Sequence, residues 1–414
     1  MKPSNARFIV LGGLCAAAAL AYFTRNGVGP AESTIRSDLH LTMAESGAMM
    51  SAFFWPYALC QLPAAMLAQR LGARRMLALY AVLWSLATAG MALGDVRVMT
   101  AARACMGVAQ AGLVPVGVMV MARWFPRAQQ ASVSGAFSGF MSAGSIIGAP
   151  LTAWLVFRCS WRPMFLIYAV PGLVWAAWFV WWFRDDPARH RAVNEAERDW
   201  IKAHAPDTVG TASRPPWLEM LASPAVWFLC LQQFCRAAGY IFFGSWFATY
   251  LQEARGVTIV GSGWLTSLPV LADVLGCMAG GVLSDAVLHR TGSERIARQG
   301  LSVVSLAACA VLIAAAWSVQ RPLLAVLVIS AGMFCAAMVN PCFGATVVRQ
   351  GGPHAATLGA IGNMCGNFGA AAFPLAVPWL VNHAGGWNAV LTGFGALYVI
   401  GAACWIPIRD RQAE

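Results

Sequence analysis

Arg25 stands in Tyr22-Phe23-Thr24-Arg25-Asn26, inside an apolar run that opens at Phe8 and carries no charge through Thr24. A guanidinium near a bilayer centre costs roughly 2.5–3.5 kcal/mol on insertion scales, so such a residue faces a protein interior or a wet cavity. Its planar fork of N–H donors suits bidentate capture of a carboxylate or phosphate. Two readings are open: an anion-binding group in a transport pathway, or an arginine neutralised by a fixed carboxylate for helix packing. Arg236, in Gln232-Gln233-Phe234-Cys235-Arg236, is a second deep arginine in the other half of the chain. Two such groups, one from each half, would make an anion clamp.

Two carboxylates complement them. Asp273 falls midway along an apolar run, where a free anion is costly, so it either carries a proton or pairs with an arginine such as Arg236. Glu32 lies seven residues beyond Arg25 on the same helical face and is expected to be solvated or gate-lining, with proton coupling as its other reading. Tyr22, Asn26, Tyr57, Gln61, Gln110, Gln233 and Tyr240 are uncharged polar groups able to orient a ligand, or equally to bond helix to helix. Asn340 before Pro341, and Asn363 among glycines, are open in the same way. Arg103, close to Asp95 and Arg97, is expected near the outer end of its helix, as a gate or anion-attracting residue or as a snorkelling side chain. Trp55 and Trp246 are candidates to line a cavity.

The elements that must position these groups follow from composition. With 414 residues, 59% hydrophobic, 11% charged and mean hydropathy +0.63, the chain lies far from soluble domains, in which about 25% of residues are charged. At about 20 residues per span, about twelve spans are expected, at 8–36, 44–69, 76–94, 98–122, 131–156, 162–183, 224–252, 262–284, 299–318, 322–348, 355–381 and 387–408. An N-terminal half (1–183), a cytoplasmic linker (184–220) and a C-terminal half (221–414) follow, with six spans in each half. No cleavable signal is evident, so the first helix is expected to be retained. The net charge of +11 collects in alternate short loops, which is the positive-inside pattern rather than a nucleic-acid footprint, and it puts both termini in the cytoplasm. The 12 cysteines lie almost all in apolar runs without Cys-x-x-Cys spacing, so no disulfide framework, metal site or cofactor is expected.

The halves repeat one another. Ala65–Arg75 (AMLAQRLGARR) follows the second span and Gly281–Gly292 (GVLSDAVLHRTG) follows the eighth. Each reads as a tight glycine turn with basic residues on helix C-terminal carbonyls. Arg70, Arg74, Arg75, Asp285 and Arg290 are therefore cytoplasmic gate residues, and Gln69 replaces the acid in the first copy. Duplicated transporters of this kind hold substrate near the midplane.

The chain resembles the major facilitator superfamily and, within it, the anion:cation symporter family. The resemblance runs almost end to end. It rests on Tyr22-Phe23-Thr24-Arg25 at the family's Tyr-Leu-Asp-Arg position, on Phe53–Arg75, on Arg103 with Gln110-Ala111-Gly112 and Pro115, and on WFPRAQQA (Trp124 to Ala131). WRPMF (Trp161 to Phe165), RDDPARH (Arg184 to His190), LSDAVLHRTGS (Leu283 to Ser293) and GNMCGNFGAAAFP (Gly362 to Pro374) complete it. The resemblance implies an all-α membrane fold of twelve helices in two pseudo-symmetric six-helix halves, carrying organic anions such as sugar acids. Two departures matter. Thr24 replaces the family's Asp before the first-helix arginine, and Gln110 replaces its fourth-span Glu; neither can titrate at physiological pH. Thr24 also resembles the organophosphate:phosphate exchangers, whose second arginine aligns with Tyr240, one turn from Arg236 on the same face.

The expectation is an inner-membrane secondary transporter, working by alternating access as a monomer. Its substrate is a small mono- or dicarboxylate, a sugar acid or an aromatic acid. Proton-coupled uptake through Asp273 is the first reading, anion exchange without proton coupling the second, and a non-transporting membrane anion sensor a remote third. Nothing in the chain resembles an enzyme's nucleophile with its base, metal cluster or nucleotide cradle.

Overall fold

The computed structural model describes residues 4–203, 220 and 222–408, and every regular element among them is a helix. The chain forms two compact units, Met1–Ile35 with Ala52–Thr211, and Arg36–Ser51 with Ala212–Glu414. The stretch Arg36–Ser51 thus packs with the C-terminal residues although sequence places it in the N-terminal half. Residues 204–219 of the expected linker, and both chain ends, lie outside the described residues.

In the first unit the helices are α1 (Ala6–Asn26), α2 (Val28–Asp38, its last residues crossing into the second unit), α4 (Phe54–Leu71), α5 (Ala73–Gly90), α6 (Val96–Ala111), α7 (Leu113–Trp124), α8 (Arg127–Cys159), α9 (Trp161–Trp182) and α10 (Glu195–Ala203). The second unit has α3 (Met43–Ser51), α11 (Pro224–Ser245), α12 (Phe247–Arg255), α13 (Ile259–Thr291), α14 (Leu301–Ser318), α15 (Pro322–Ala337), α16 (Val339–Gly351), α17 (Ala355–His383) and α18 (Trp387–Trp405). Among the described residues ten helical stretches are long and apolar enough to cross a membrane, by length and composition alone, with α1 and α2, α6 and α7, and α15 and α16 each counted as one. The second and third expected spans fall short. Gln61, Gln69 and Arg70 dilute α4, and Arg74 and Arg75 begin α5.

Single turn residues, Gly27, Gly112, Trp246 and Met338, stand between α1 and α2, α6 and α7, α11 and α12, and α15 and α16. Each keeps right-handed helical dihedrals, so the paired helices run on from one another. Gly27, Gly112 and Met338 each lie two residues from an expected site residue: Arg25, Gln110 and Asn340.

Packing inside each unit relies on bare backbone. A Cβ on Gly144 of α8 would stand 2.2 Å from the Ala19 carbonyl oxygen of α1, and one on Gly369 of α17 would stand 2.2 Å from the Phe234 carbonyl oxygen of α11. Apolar burial gives helices in lipid little reason to associate, so close backbone approach and van der Waals contact do that work. The fifth span meets the first in one unit as the eleventh meets the seventh in the other, as a duplicated sequence requires.

Candidate anion-binding and coupling sites

In the first unit Arg25 ends α1 just before the Gly27 turn and is 8% exposed. Its Nε donates to Oε1 of Gln110 at 3.3 Å, while the Gln110 amide nitrogen donates to the Ala21 carbonyl at 3.1 Å and to the Thr24 hydroxyl at 3.2 Å. The two residues that replace the family's acids are therefore bonded to each other, and one of them holds the arginine. Tyr22, Phe53 and Tyr57 place their ring centroids 4.3, 4.6 and 4.6 Å from the Arg25 guanidinium carbon. Aromatic faces attract a cation without neutralising it. Among the described residues Arg25 forms no salt bridge.

Arg103 differs from expectation. It is 2% exposed, its Nη1 donates to the Arg25 backbone carbonyl at 2.9 Å, and its guanidinium carbon lies 5.0 Å from the Phe53 ring. It is not a snorkelling side chain, because α6 carries it inward to the Arg25 carbonyl. Glu32 is likewise fully buried, not solvated. Asn26 donates to the Ser145 hydroxyl at 2.8 Å and so joins α1 to α8. Gln61 is half-buried on α4, one turn beyond Tyr57.

In the second unit Arg236 is half-buried on α11, with Nε donating to Oε1 of Gln233 at 2.9 Å. Asp273, on α13, feels the Arg236 charge, yet no salt bridge joins them among the described residues. Asp273 is half-buried on α13. Cys277 lies one turn along the same helix, and Asn340 is half-buried on α16. Tyr398 of α18 also feels both Arg236 and Asp273, and its hydroxyl would be 2.7 Å from a Cβ on Gly239. Sequence reasoning passed over Tyr398; nothing local distinguishes it from the other aromatics of an apolar helix. Tyr240 is half-buried one turn from Arg236, and Asn363 is exposed on α17. Trp246 is fully buried and donates to the Pro374 carbonyl at 3.2 Å, so it is a packing residue. Trp55 is exposed.

The duplicated turns have different locks. Gly72 and Gly292 adopt φ of +91° and +63°, where L side chains are strained. After the second span the Arg74 amide donates to Asp185 Oδ1 at 2.8 Å, and its guanidinium Nε to the Val180 carbonyl at 2.8 Å. Asp185, from RDDPARH, thus supplies the acid that Gln69 lacks. After the eighth span Asp285 pairs with Arg298 at 3.0 Å, and Arg290 is exposed. The arginine that docks on Asp285 comes from the next helix, not from the repeated motif. Arg70 and Arg75 are also exposed.

These sites can be set beside known proteins. The chain is 28% identical over 401 residues to a probable sulfoacetate transporter of Cupriavidus necator, covering 96% of this chain and 92% of that one. It is 27% identical to a probable galactarate/D-glucarate transporter of Bacillus subtilis, covering 95% and 90%, and 27% identical to the galacturonate transporter of Dickeya chrysanthemi, covering 68% and 82%. In fold it is similar to a bacterial homologue of the human lysosomal transporter Spinster, with a TM-score of 0.77 at 17% identity and 96% of each chain covered. That likeness speaks for the twelve-helix architecture alone. A model of the Major Facilitator Superfamily matches residues 14–374. Multi-pass membrane helices, paired repeats and a match across most of the chain agree: this protein belongs to the Major Facilitator Superfamily, a superfamily of transporters and not of enzymes.

Proposed function

We propose that the protein is a secondary active transporter of a small organic anion, a mono- or dicarboxylate of the sugar-acid or sulfonated-acid kind, that works by alternating access. The observation that carries this reading is Arg25: buried, without a salt bridge, and framed by Tyr22, Phe53 and Tyr57. A guanidinium left uncompensated at that depth gains most from an anion that arrives with the substrate. The relatives named for sulfoacetate, galactarate and galacturonate support the same substrate class. Arg236 is the corresponding anion-binding group of the second unit. Asp273 is the proton-coupling acid for inward transport, taking the role that Thr24 and Gln110 cannot fill. Glu32, Arg103 and the polar groups around both arginines support these sites. The gate residues act at the cytoplasmic side of an inner-membrane protein with both termini inside.

Anion exchange is the second reading, and the Thr24–Gln110 hydrogen bond favours it, since it puts no titrating group beside Arg25. The test is uptake of galactarate and of sulfoacetate into proteoliposomes. Proton coupling predicts accumulation into empty vesicles under an inward acid gradient. Exchange predicts uptake only when anion is loaded inside. Failure of both acids to move under either condition, with no thermal shift on binding, would overturn the organic-anion reading.

A further inference from the structure

Helices α11 and α17 meet backbone to backbone in a parallel register. A Cβ on Gly369 would lie 2.2 Å from the Phe234 carbonyl oxygen, and one on Gly366 would lie 3.4 Å from that of Gln233. Residues four apart share a helical face. Four residues before Phe234 stands Cys230, and four before Gly369 stands Cys365, so both are one turn down the same contact. There the principal electrostatic neighbour of each thiol is the other, and neither is in a disulfide. A disulfide needs Cα atoms about 4.4–6.8 Å apart. Ordinary helix pairs, with axes about 8–10 Å apart, present fewer such positions than a pair in backbone contact.

The two sulfurs differ in access. Cys230 is 4% exposed, whereas Cys365 is half-buried. Cys105 is exposed in the other unit.

We propose that Cys230 and Cys365 form a dithiol site that a peroxide oxidises to a disulfide, stapling α11 to α17. With hydrogen peroxide, the Cys365 sulfur as thiolate attacks one peroxide oxygen. The O–O bond breaks, Cys365 becomes a sulfenic acid, and the other oxygen leaves as water. The Cys230 sulfur then attacks the sulfenic sulfur, the S–S bond forms, the S–O bond breaks, and a second water leaves. Two thiols lose two electrons and two protons, and one peroxide is reduced to two waters. The staple falls one turn before Gln233 and nearly two before Arg236, so it fixes the helix that carries the second deep arginine.

The site is tested on the full-length purified protein by hydrogen peroxide treatment, alkylation of remaining thiols, digestion and mass mapping. The expected product is a peptide pair linked through Cys230 and Cys365, dissolved by reductant and absent from Cys365→Ser. In Cys230→Ser, Cys365 is expected to stop at the sulfenic acid and be trapped by dimedone. Full alkylation of both residues at a dose that oxidises Cys105, or linkage of Cys230 to another cysteine, would overturn the proposal. The wild-type map decides the matter even if a variant fails to fold.

Discussion

Arg25 donates through Nε to Oε1 of Gln110 at 3.3 Å, and the same Gln110 reaches back to the Thr24 hydroxyl at 3.2 Å. Positions that resemble a relay of two acids are here a neutral brace. The brace fixes the guanidinium plane among three rings and leaves its charge available.

Arg25→Lys keeps the charge and loses the fork. An ammonium can replace neither the bond to Gln110 nor a bidentate grip on carboxylate. Losing one or two charge-assisted hydrogen bonds of about 1.5–3 kcal/mol predicts anion binding weakened about tenfold or more. Thermal shifts with a panel of carboxylates would measure it, and unchanged apparent affinity would refute the role.

Asp273→Asn removes a titrating group at nearly constant shape. Under the coupling reading, acid-driven accumulation falls to simple equilibration, while exchange of labelled for unlabelled anion persists. Accumulation at the wild-type level would exclude Asp273 as the coupling acid.

His190 gives the segment after α9 a pH dependence. It is buried against Trp124 and Trp182 at ring distances of 5.5 and 4.4 Å, and its Nδ1 accepts the Ala192 amide hydrogen at 3.2 Å. Burial, helped by the Arg184 charge, holds its pKa below the usual histidine value, against the opposing pull of the Trp182 backbone and Glu197. The folded state therefore binds fewer protons here than the unfolded state. The contribution is complete above the unfolded value of about 6.5 and is lost as pH falls through the lower folded value. Melting temperature should drop on acidification below that range, and His190→Gln should flatten the profile.

Gly144→Val puts a branched side chain where a Cβ already lies 2.2 Å from the Ala19 carbonyl oxygen. Overpacking of this kind costs about 1–3 kcal/mol. A lower melting temperature is expected, together with weaker anion binding, because α1 carries Arg25. An unchanged melting temperature would show that α8 can retreat without cost.

Membrane character, the approximate spans, the duplicated turns and the deep charges Arg25, Arg236 and Asp273 are written in the sequence. Each depends on a local contrast: a charge inside an apolar run, or a glycine and basic cluster after one. The partners of those charges are not local. The chain order of Arg103, Asp95 and Arg97 pointed to the membrane edge, but α6 turns Arg103 into the interior to meet the Arg25 carbonyl. Glu32 reads as solvated from its own polarity, whereas packing buries it fully. Asp285 takes its arginine from the following helix, and Gln69's missing acid is returned by Asp185 from more than a hundred residues away. The sequence by itself determined which residues must avoid lipid, since that penalty belongs to each side chain. Which groups answer them was decided only by tertiary packing, because hydrogen-bond partners are set by how helices cross.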